Sequence, residues 1–347
     1  MIARFVSTLL ISLLFISNSY SQKKSFTVLQ LNIWQEGSVV PDGYDAIVNE
    51  IVDKNADVVL LSEVNNKNGV DFVSRIIKDL KEKGINYYGI SNETTVDVAT
   101  LSKFPILEQN TLYEKENRQG QILKTKINIH NRPIIFYSVH LDYTNYACYL
   151  PRGYDGVTWA KMVKPITDAQ EIIIANRKSK RDEAIGDLIV DAAKEPKQYS
   201  IIIAGDFNEP SHLDWVESTK YLYDHTGAIV PWDCSKMLYA AGYLDAFRVK
   251  YPNPLTHPGF TYPSFNPAVP ISKLAWAPEA DDRDRIDYIY FKTYNKQLKL
   301  KNIQIVGPES TVRYAQKQEK DSEDTFILPK DVWPTDHKGL LATFSIK

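Results

Sequence analysis

The chain has 347 residues, with 41 lysines and arginines against 43 aspartates and glutamates and a formal charge of −2. That balance excludes a strongly basic surface built to coat nucleic acid. Two cysteines, Cys148 and Cys234, are too few for a disulfide framework and lack metal-site spacing.

The N-terminus sets Arg4 before an apolar run from Phe5 to Ile16, then Ser19-Tyr20-Ser21 ahead of Gln22. A positive start, a short apolar core and small residues at −3 and −1 form a secretory signal peptide over residues 1–21. A secreted or periplasmic location is therefore expected, with no stable membrane insertion after cleavage. The apolar run is too short for a confident membrane span. An uncleaved anchor is the alternative.

Residues 26–33 (FTVLQLNI) alternate as a strand does, and Ile47, Val48, Ile51 and Val52 recur at helical spacing. A short apolar strand at 57–64 (DVVLLSEV) ends in Glu63. Val70, Val73, Ile76, Ile77 and Leu80 make a second amphipathic helix stopped at Gly84. Strand-like runs follow at 86–90, 96–101, 121–129 and 133–141. A helix around 179–194 feeds a strand at 200–205, and further strands are expected near 286–292, 298–306 and 339–346. Helices alternating with β-runs point to sheet layers with helices outside. No linker, repeat or low-complexity tract divides the sequence, so residues 22–347 read as one domain. Two stretches, 143–178 and 210–282, are rich in Tyr, Trp, Pro, Gly and Asn with little periodicity, and read as loop insertions.

One stretch raises a chemical question. IIIAGDFNEP, residues 201–210, runs from a buried strand into Asp206 and Asn208. Two apart on an extended chain, these side chains point to the same side, and their oxygens suit a hard cation. The alternative is a strand-end turn in which they only bond backbone amides. Other apolar strands also end in polar residues: Asn32, Glu63 and His140. Asp287 lies in DRIDYIYF, and Asp336-His337 precede KGLLATF.

In this order the motifs LNIW, LSEV, LSKFPI, SVHLDY, GDFNEP, DRIDYIY and PTDHKG, spread over residues 31–339, resemble those of the endonuclease/exonuclease/phosphatase superfamily. That group includes pancreatic-type deoxyribonucleases, apurinic endonucleases, neutral sphingomyelinases and inositol polyphosphate 5-phosphatases. EPSHLDW at 209–215 is similar to secreted bacterial members of unassigned substrate. The resemblance implies an α/β fold, a four-layer α-β-β-α sandwich of two mixed β-sheets flanked by helices.

The resemblance also implies roles. Glu63 would be the principal Mg²⁺ ligand, with Asn32 and Asp336 beside it; Mn²⁺ or Ca²⁺ are alternatives. Asp206 would orient or deprotonate the attacking water, or bind a second metal. Asn208 would contact that nucleophile or a phosphate oxygen. His140 and His337 would hydrogen-bond the phosphate, and Asp287 would pair with His337. Hydrolysis of an anionic phosphoester needs charge neutralisation and an activated water, which this residue set supplies. There is no G-x-S-x-G elbow or P-loop.

The expected protein is a monomer acting on a phosphate ester, whether nucleic acid, nucleotide, sugar-phosphate or lipid head group. A phosphodiesterase or nuclease is the first reading, and a phosphomonoesterase is the alternative. An inactive binding scaffold is disfavoured because every expected catalytic residue is present. The inositol-phosphatase segment P-x-W-C-D-R is not kept: APEADDRDRIDY at 277–288 retains only its end. Nine aromatics (Tyr143, Tyr146, Tyr149, Tyr154, Trp159, Trp215, Trp232, Tyr262, Trp276) offer ring stacking or simple loop packing, packing being expected for most. Arg152, Lys161, Lys164, Arg181, Arg283 and Arg285 offer anion contacts, or are lone surface cations with no specific role.

Overall fold

The computed structural model describes residues 24–91, 96–113, 121–294 and 296–346. The leader expected at 1–21 lies outside them. The chain begins with β1 (Lys24–Asn32), α1 (Gly43–Lys54), β2 (Val58–Ser62), α2 (Phe72–Glu82), β3 (Tyr88–Gly89) and β4 (Val98–Ser102). Next come β5 (Ile106–Tyr113), β6 (Gln121–Ile129), β7 (Arg132–His140), α3 (Ala169–Asn176), α4 (Arg181–Ala192) and β8 (Ser200–Asp206). Then follow α5 (Asp233–Ala240), β9 (Leu244–Asp245), α6 (Ala246–Lys250), β10 (Asp287–Lys292) and β11 (Leu298–Val306). The chain closes with β12 (Thr311–Arg313), β13 (Gln316–Gln318), β14 (Phe326–Ile327) and β15 (Gly339–Ile346).

Seven strands form one sheet in the order β14-β11-β15-β1-β2-β4-β3, and six form the other in the order β5-β6-β7-β8-β10-β9. Both are mixed: β1 runs parallel to β2, and β7 parallel to β8, among antiparallel neighbours. The facing surfaces share one core that includes Val28, Leu60, Phe136, Ile202, Ile289 and Phe344. The outer face of the first sheet packs Leu29, Leu61 and Leu101 against Ile47, Ile51, Ile76 and Leu80 of α1 and α2. That of the second packs Ile135, Ile203 and Tyr290 against Ile185 and Leu188 of α4 and Leu238 of α5. These three apolar layers make the α-β-β-α sandwich.

Local signals explain most elements. The α2 helix carries Val73, Ile76 and Leu80 on its buried face, and the Asp71 side chain caps it by accepting from Val73 N at 3.1 Å. β8 is buried along its whole length, as its unbroken apolar sequence requires. Five strands escaped the sequence reading: the two- and three-residue β9, β12, β13 and β14, and the longer β5. β5 (ILEQNTLY) is an edge strand, and its polar residues meet solvent where a central strand would be apolar.

The stretches read as unstructured insertions are more ordered than expected. Residues 143–178 hold a short 3-10 turn, Ala147–Arg152, and the helix α3, capped by Asp168 accepting from Gln170 N and Glu171 N. Residues 210–282 hold α5, β9 and α6. The two stretches share an apolar cluster of their own, with Tyr149, Ile172, Trp215, Val230 and Trp232. Their periodicity is weak because much of each stretch packs on the other, while α5, β9 and α6 reach the sheets.

Candidate active site

Strand register brings the polar strand ends together. His140 pairs with Asp206 across β7 and β8, and Asp287 pairs with Asp206 across β10 and β8. Asn32 ends β1 opposite Ser62, the residue before Glu63. His337 precedes β15, which lies beside β1. The two sheets are tied just beneath: Ser62 Oγ donates to the Val139 carbonyl at 3.0 Å, and Gln30 Nε2 donates to Asp287 Oδ1 at 2.7 Å. Gly205 allows the close approach of β8 to β7. Its φ is +154°, and a Cβ there would overlap the Val139 carbonyl.

These residues surround a cavity of about 660 Å³. On its floor Asn32 Nδ2 donates to Glu63 Oε1 and to Asp206 Oδ2, each at 3.0 Å. The other oxygen of Glu63 accepts from Gln35 N at 2.8 Å. Glu63 and the run Trp34-Gln35-Glu36 have left-handed backbones, with φ between 39° and 68°. Such conformations are costly and cluster at working sites. Asn32 Oδ1 accepts from Trp34 N at 2.9 Å, so Asn32 would have to turn its side-chain amide over to present that oxygen to a metal.

Asp206 and Asn208 do face the same cavity, but not by strand alternation. β8 ends at Asp206, and Asn208 is left-handed at φ 48°. Asp206 Oδ1 accepts from Asn208 N at 2.8 Å while its Oδ2 faces the cluster. The turn reading is seen directly in the Asn208 N–H bond, while Oδ2 is turned to Asn32 and the cavity. Asn208 Nδ2 donates to the Leu141 carbonyl.

Two histidines flank Asp206, each held by its own carboxylate. His337 Nδ1 lies 2.9 Å from Asp287 Oδ2, and His140 Nδ1 lies 2.7 Å from Asp97 Oδ2. Their Nε2 atoms stand 3.7 and 3.9 Å from Asp206 Oδ2. Burial opposes charging of His140, but the charge and hydrogen bond of Asp97 win and raise its pKa to about 10. Burial likewise opposes the charging of His337, and Asp287 and Asp206 outweigh it, holding the pKa well above the ordinary value. For Asp206, burial is the largest effect and raises the pKa to about 6, against the pull of His337. Burial raises Asp336 to about 7.

This arrangement has evident chemical capacity. Two imidazolium groups can stabilise charge on phosphate oxygens, and a carboxylate titrating near 6 can take a proton from water. Glu63, Asp206 and Asp336 present oxygen donors to one pocket, a set that fits a hard divalent cation, and burial disfavours the charge of Asp206 and Asp336. Asp206, Asp287 and His337 also offer ligand atoms all within 4.8 Å of one another.

Asp97 was absent from the sequence-derived set. Its signal was an acid inside the apolar run VDVATLS, and its backbone N–H is held by Gln121, the register partner of His140. The expected anion-binding arginines are corrected outright. Arg152, Arg181, Arg283 and Arg285 are buried. Arg152 pairs with Asp284, Arg283 with Asp281 and Asp321, and Arg285 with Asp214 and Asp245. Arg181 donates to the carbonyls of Asp142, Thr144 and Asn145, pinning the start of the 143–178 segment beside His140. Lys161 pairs with Glu279 on the surface. Among the described lining residues, Lys67 is the one lysine or arginine, and it donates to Gln35 and Ser38. The aromatic expectation divides: Tyr143, Tyr146, Tyr149, Trp159, Tyr262 and Trp276 line the cavity, whereas Trp215 and Trp232 are core.

The Endonuclease/Exonuclease/phosphatase family model matches residues 29–337. An uncharacterized Caenorhabditis elegans protein, F14F9.5, is 30% identical over 285 residues, covering 80% of this chain and 81% of that protein. Among solved structures, D. rerio TDP2 complexed with a single-strand DNA product matches with a TM-score of 0.51 at 13% identity, covering 92% of this chain and 98% of the other. An endonuclease/exonuclease/phosphatase of Bacteroides vulgatus matches with a TM-score of 0.51 at 15% identity, covering 94% and 100%. At these identities the structures establish the shared fold.

Proposed function

The chain belongs to the Endonuclease/Exonuclease/phosphatase family, whose members are metal-dependent hydrolases of phosphoric esters, and from that premise we propose a phosphodiesterase acting on small or single-stranded substrates. The observation that carries this reading is Asp206 set between two charged histidines, each fixed by its own carboxylate. His140 and His337 hold the nonbridging oxygens of the phosphate. Asp206 takes the proton of the attacking water as the ester oxygen leaves. Asp97 and Asp287 keep the rings oriented and charged. Asn208 steadies the turn and faces the same phosphate.

Glu63 and Asp336 are the proposed holders of Mg²⁺, with Mn²⁺ or Ca²⁺ as alternatives, and Asn32 positions Glu63. A divalent ion held by Glu63 and Asp336 would neutralise phosphate charge and supply an acidified water. A diester is favoured over a monoester because a dianion would call for further cations, and Lys67 is already engaged. Duplex DNA is disfavoured because the described lining residues include one lysine and no arginine, too few to engage many phosphates. The bound single strand in D. rerio TDP2 is a property of that protein; here the support is the narrow, aromatic-walled cavity.

We also propose a secreted or periplasmic bacterial monomer, built from residues 22–347 as one domain. Export rests on the leader-like residues 1–21, and the bacterial reading rests on EPSHLDW, although F14F9.5 is a nematode protein. No helix of the described residues is long and apolar enough to cross a membrane. The test is Mg²⁺-dependent hydrolysis of p-nitrophenyl phosphate, bis-p-nitrophenyl phosphate and plasmid DNA, run side by side. The diester should be turned over fastest. A dominant monoester rate, or efficient salt-sensitive cleavage of the plasmid, would overturn the reading.

A further inference from the structure

An aromatic wall leads from the phosphate-binding end of the cavity to its mouth. Tyr262 packs on His337 with ring centroids 5.0 Å apart. Further out, Tyr149 meets Trp159 at 5.4 Å, and Trp159 meets Trp276 at 5.6 Å. The wall is graded in exposure. Tyr149 and Tyr262 are buried, Trp159 is half-buried, and Trp276 is 51% exposed with its ring open to the cavity mouth. Trp159 keeps a left-handed backbone, φ 60°, and its N–H donates to the Asp155 carbonyl at 3.0 Å, so the loop holds this ring in place at a conformational cost.

The polar groups along this wall are largely engaged. The Tyr149 hydroxyl donates to Asp282, the Tyr154 hydroxyl accepts from Glu279 N, and Arg152 is spent on Asp284. A sugar ring needs many partners for its hydroxyls, and a polyphosphate needs free cations; the wall offers neither. It offers faces. Tyr146 also lines the cavity, but its hydroxyl is buried away from it beside the Cys148 thiol, so this residue too offers only its ring.

We propose that this wall is a nucleobase subsite: the phosphoester cleaved here carries a nucleoside whose base stacks on Trp276 and Trp159 while its phosphate lies between His140 and His337. The proposal rests on the phosphoester-hydrolase reading above and narrows its substrate class. Stacking on aromatic side chains is tolerant of base identity, so the subsite selects for a base without selecting which one. The 143–178 and 210–282 segments, through Trp159 and Trp276, therefore set the substrate class, whereas the strand ends set the reaction.

The experiment is calorimetric titration of the Mg²⁺-loaded protein with adenosine 5′-monophosphate, ribose 5-phosphate, phosphocholine and inorganic phosphate. Adenosine monophosphate should bind about tenfold or more tighter than ribose 5-phosphate, within the range of one stacking contact. Trp276→Ala should erase that preference and leave inorganic phosphate affinity unchanged, and Trp276→Phe should keep part of it. Equal binding of the two ribose compounds, tighter binding of phosphocholine, or a Trp276→Ala variant with an intact preference would overturn the subsite. Hydrolysis of methyl p-nitrophenyl phosphate, run alongside, separates the two levels. If it proceeds while the base adds nothing, only the subsite falls; if neither hydrolysis nor phosphate binding occurs, both readings fall.

Discussion

Asp97→Asn isolates the half of the site that the sequence did not disclose. The carboxylate lies 2.7 Å from His140 Nδ1, and its charge is what lifts the ring to about 10 against burial. At about pH 8 a ring titrating near 10 is about 99% protonated, whereas one at the ordinary 6.5 is only about 3% protonated. Removing Asp97 should therefore lower kcat/KM by about 30-fold at that pH. Burial opposes the charged ring while Asp206 and Glu63 favour it, so this is an order-of-magnitude expectation taken at the ordinary imidazole value. At about pH 6 most of the ring is protonated in either protein, so the deficit should shrink to a few-fold.

The linkage has the same sign. A raised histidine pKa contributes stability that is fully present below about 6.5 and is lost as pH rises through about 10. Asp97→Asn should accordingly destabilise the protein more at neutral pH than at pH 9.5 and above. The assay is the pH profile of kcat/KM for a diester at saturating Mg²⁺, taken as the ratio of parent to variant. A ratio that stays flat from pH 6 to 8.5 would refute the idea that Asp97 acts by holding His140 charged.

Glu63→Gln keeps the shape of the floor but removes a charge, and should cost about a hundredfold or more in turnover with an unchanged melting transition; near-full turnover at limiting Mg²⁺ would remove Glu63 from the metal site. Asp287→Asn and His337→Ala damage one hydrogen-bonded unit, so a double-mutant cycle on kcat/KM should give a combined loss well short of the sum of the single barriers; full additivity would argue against the pair. Arg152→Leu strands the buried carboxylate of Asp284 and should destabilise the fold by about 3–5 kcal/mol in urea melts; a loss under about 1 kcal/mol would show that the pair is relaxed or hydrated.

The strand ends were legible because a buried strand is an apolar run, and a polar residue closing it must have a partner or a task. Asn32, Glu63, His140, Asp206 and Asp287 all stood out this way, and register then gathered them. Asp97 was illegible because its meaning depends on His140, 43 residues away in sequence and on the other sheet. The arginines misled for the converse reason. Charge in a sequence looks available for substrate, and only the fold shows Arg283 between Asp281 and Asp321 or Arg285 against Asp214. Asn208 reached the right place by a different route, through a left-handed turn where alternation on a strand was expected. The aromatics were legible as composition but not as geometry. Trp215 and Trp232 look like Trp159 and Trp276 in sequence, yet the first two are core and the other two form the cavity wall.

The central claim is that this cluster hydrolyses phosphate diesters with a divalent ion held by its carboxylates. It is tested most directly by stripping the purified protein with EDTA and measuring hydrolysis of methyl p-nitrophenyl phosphate at about pH 7.5 as Mg²⁺ is added back. Hydrolysis should be lost on stripping and return saturably with Mg²⁺. The Mg²⁺ needed for half-recovery should rise as pH falls toward 6, where protonation of Asp336 competes with the ion. Hydrolysis that survives stripping, or that fails to return with any divalent ion, would contradict the account.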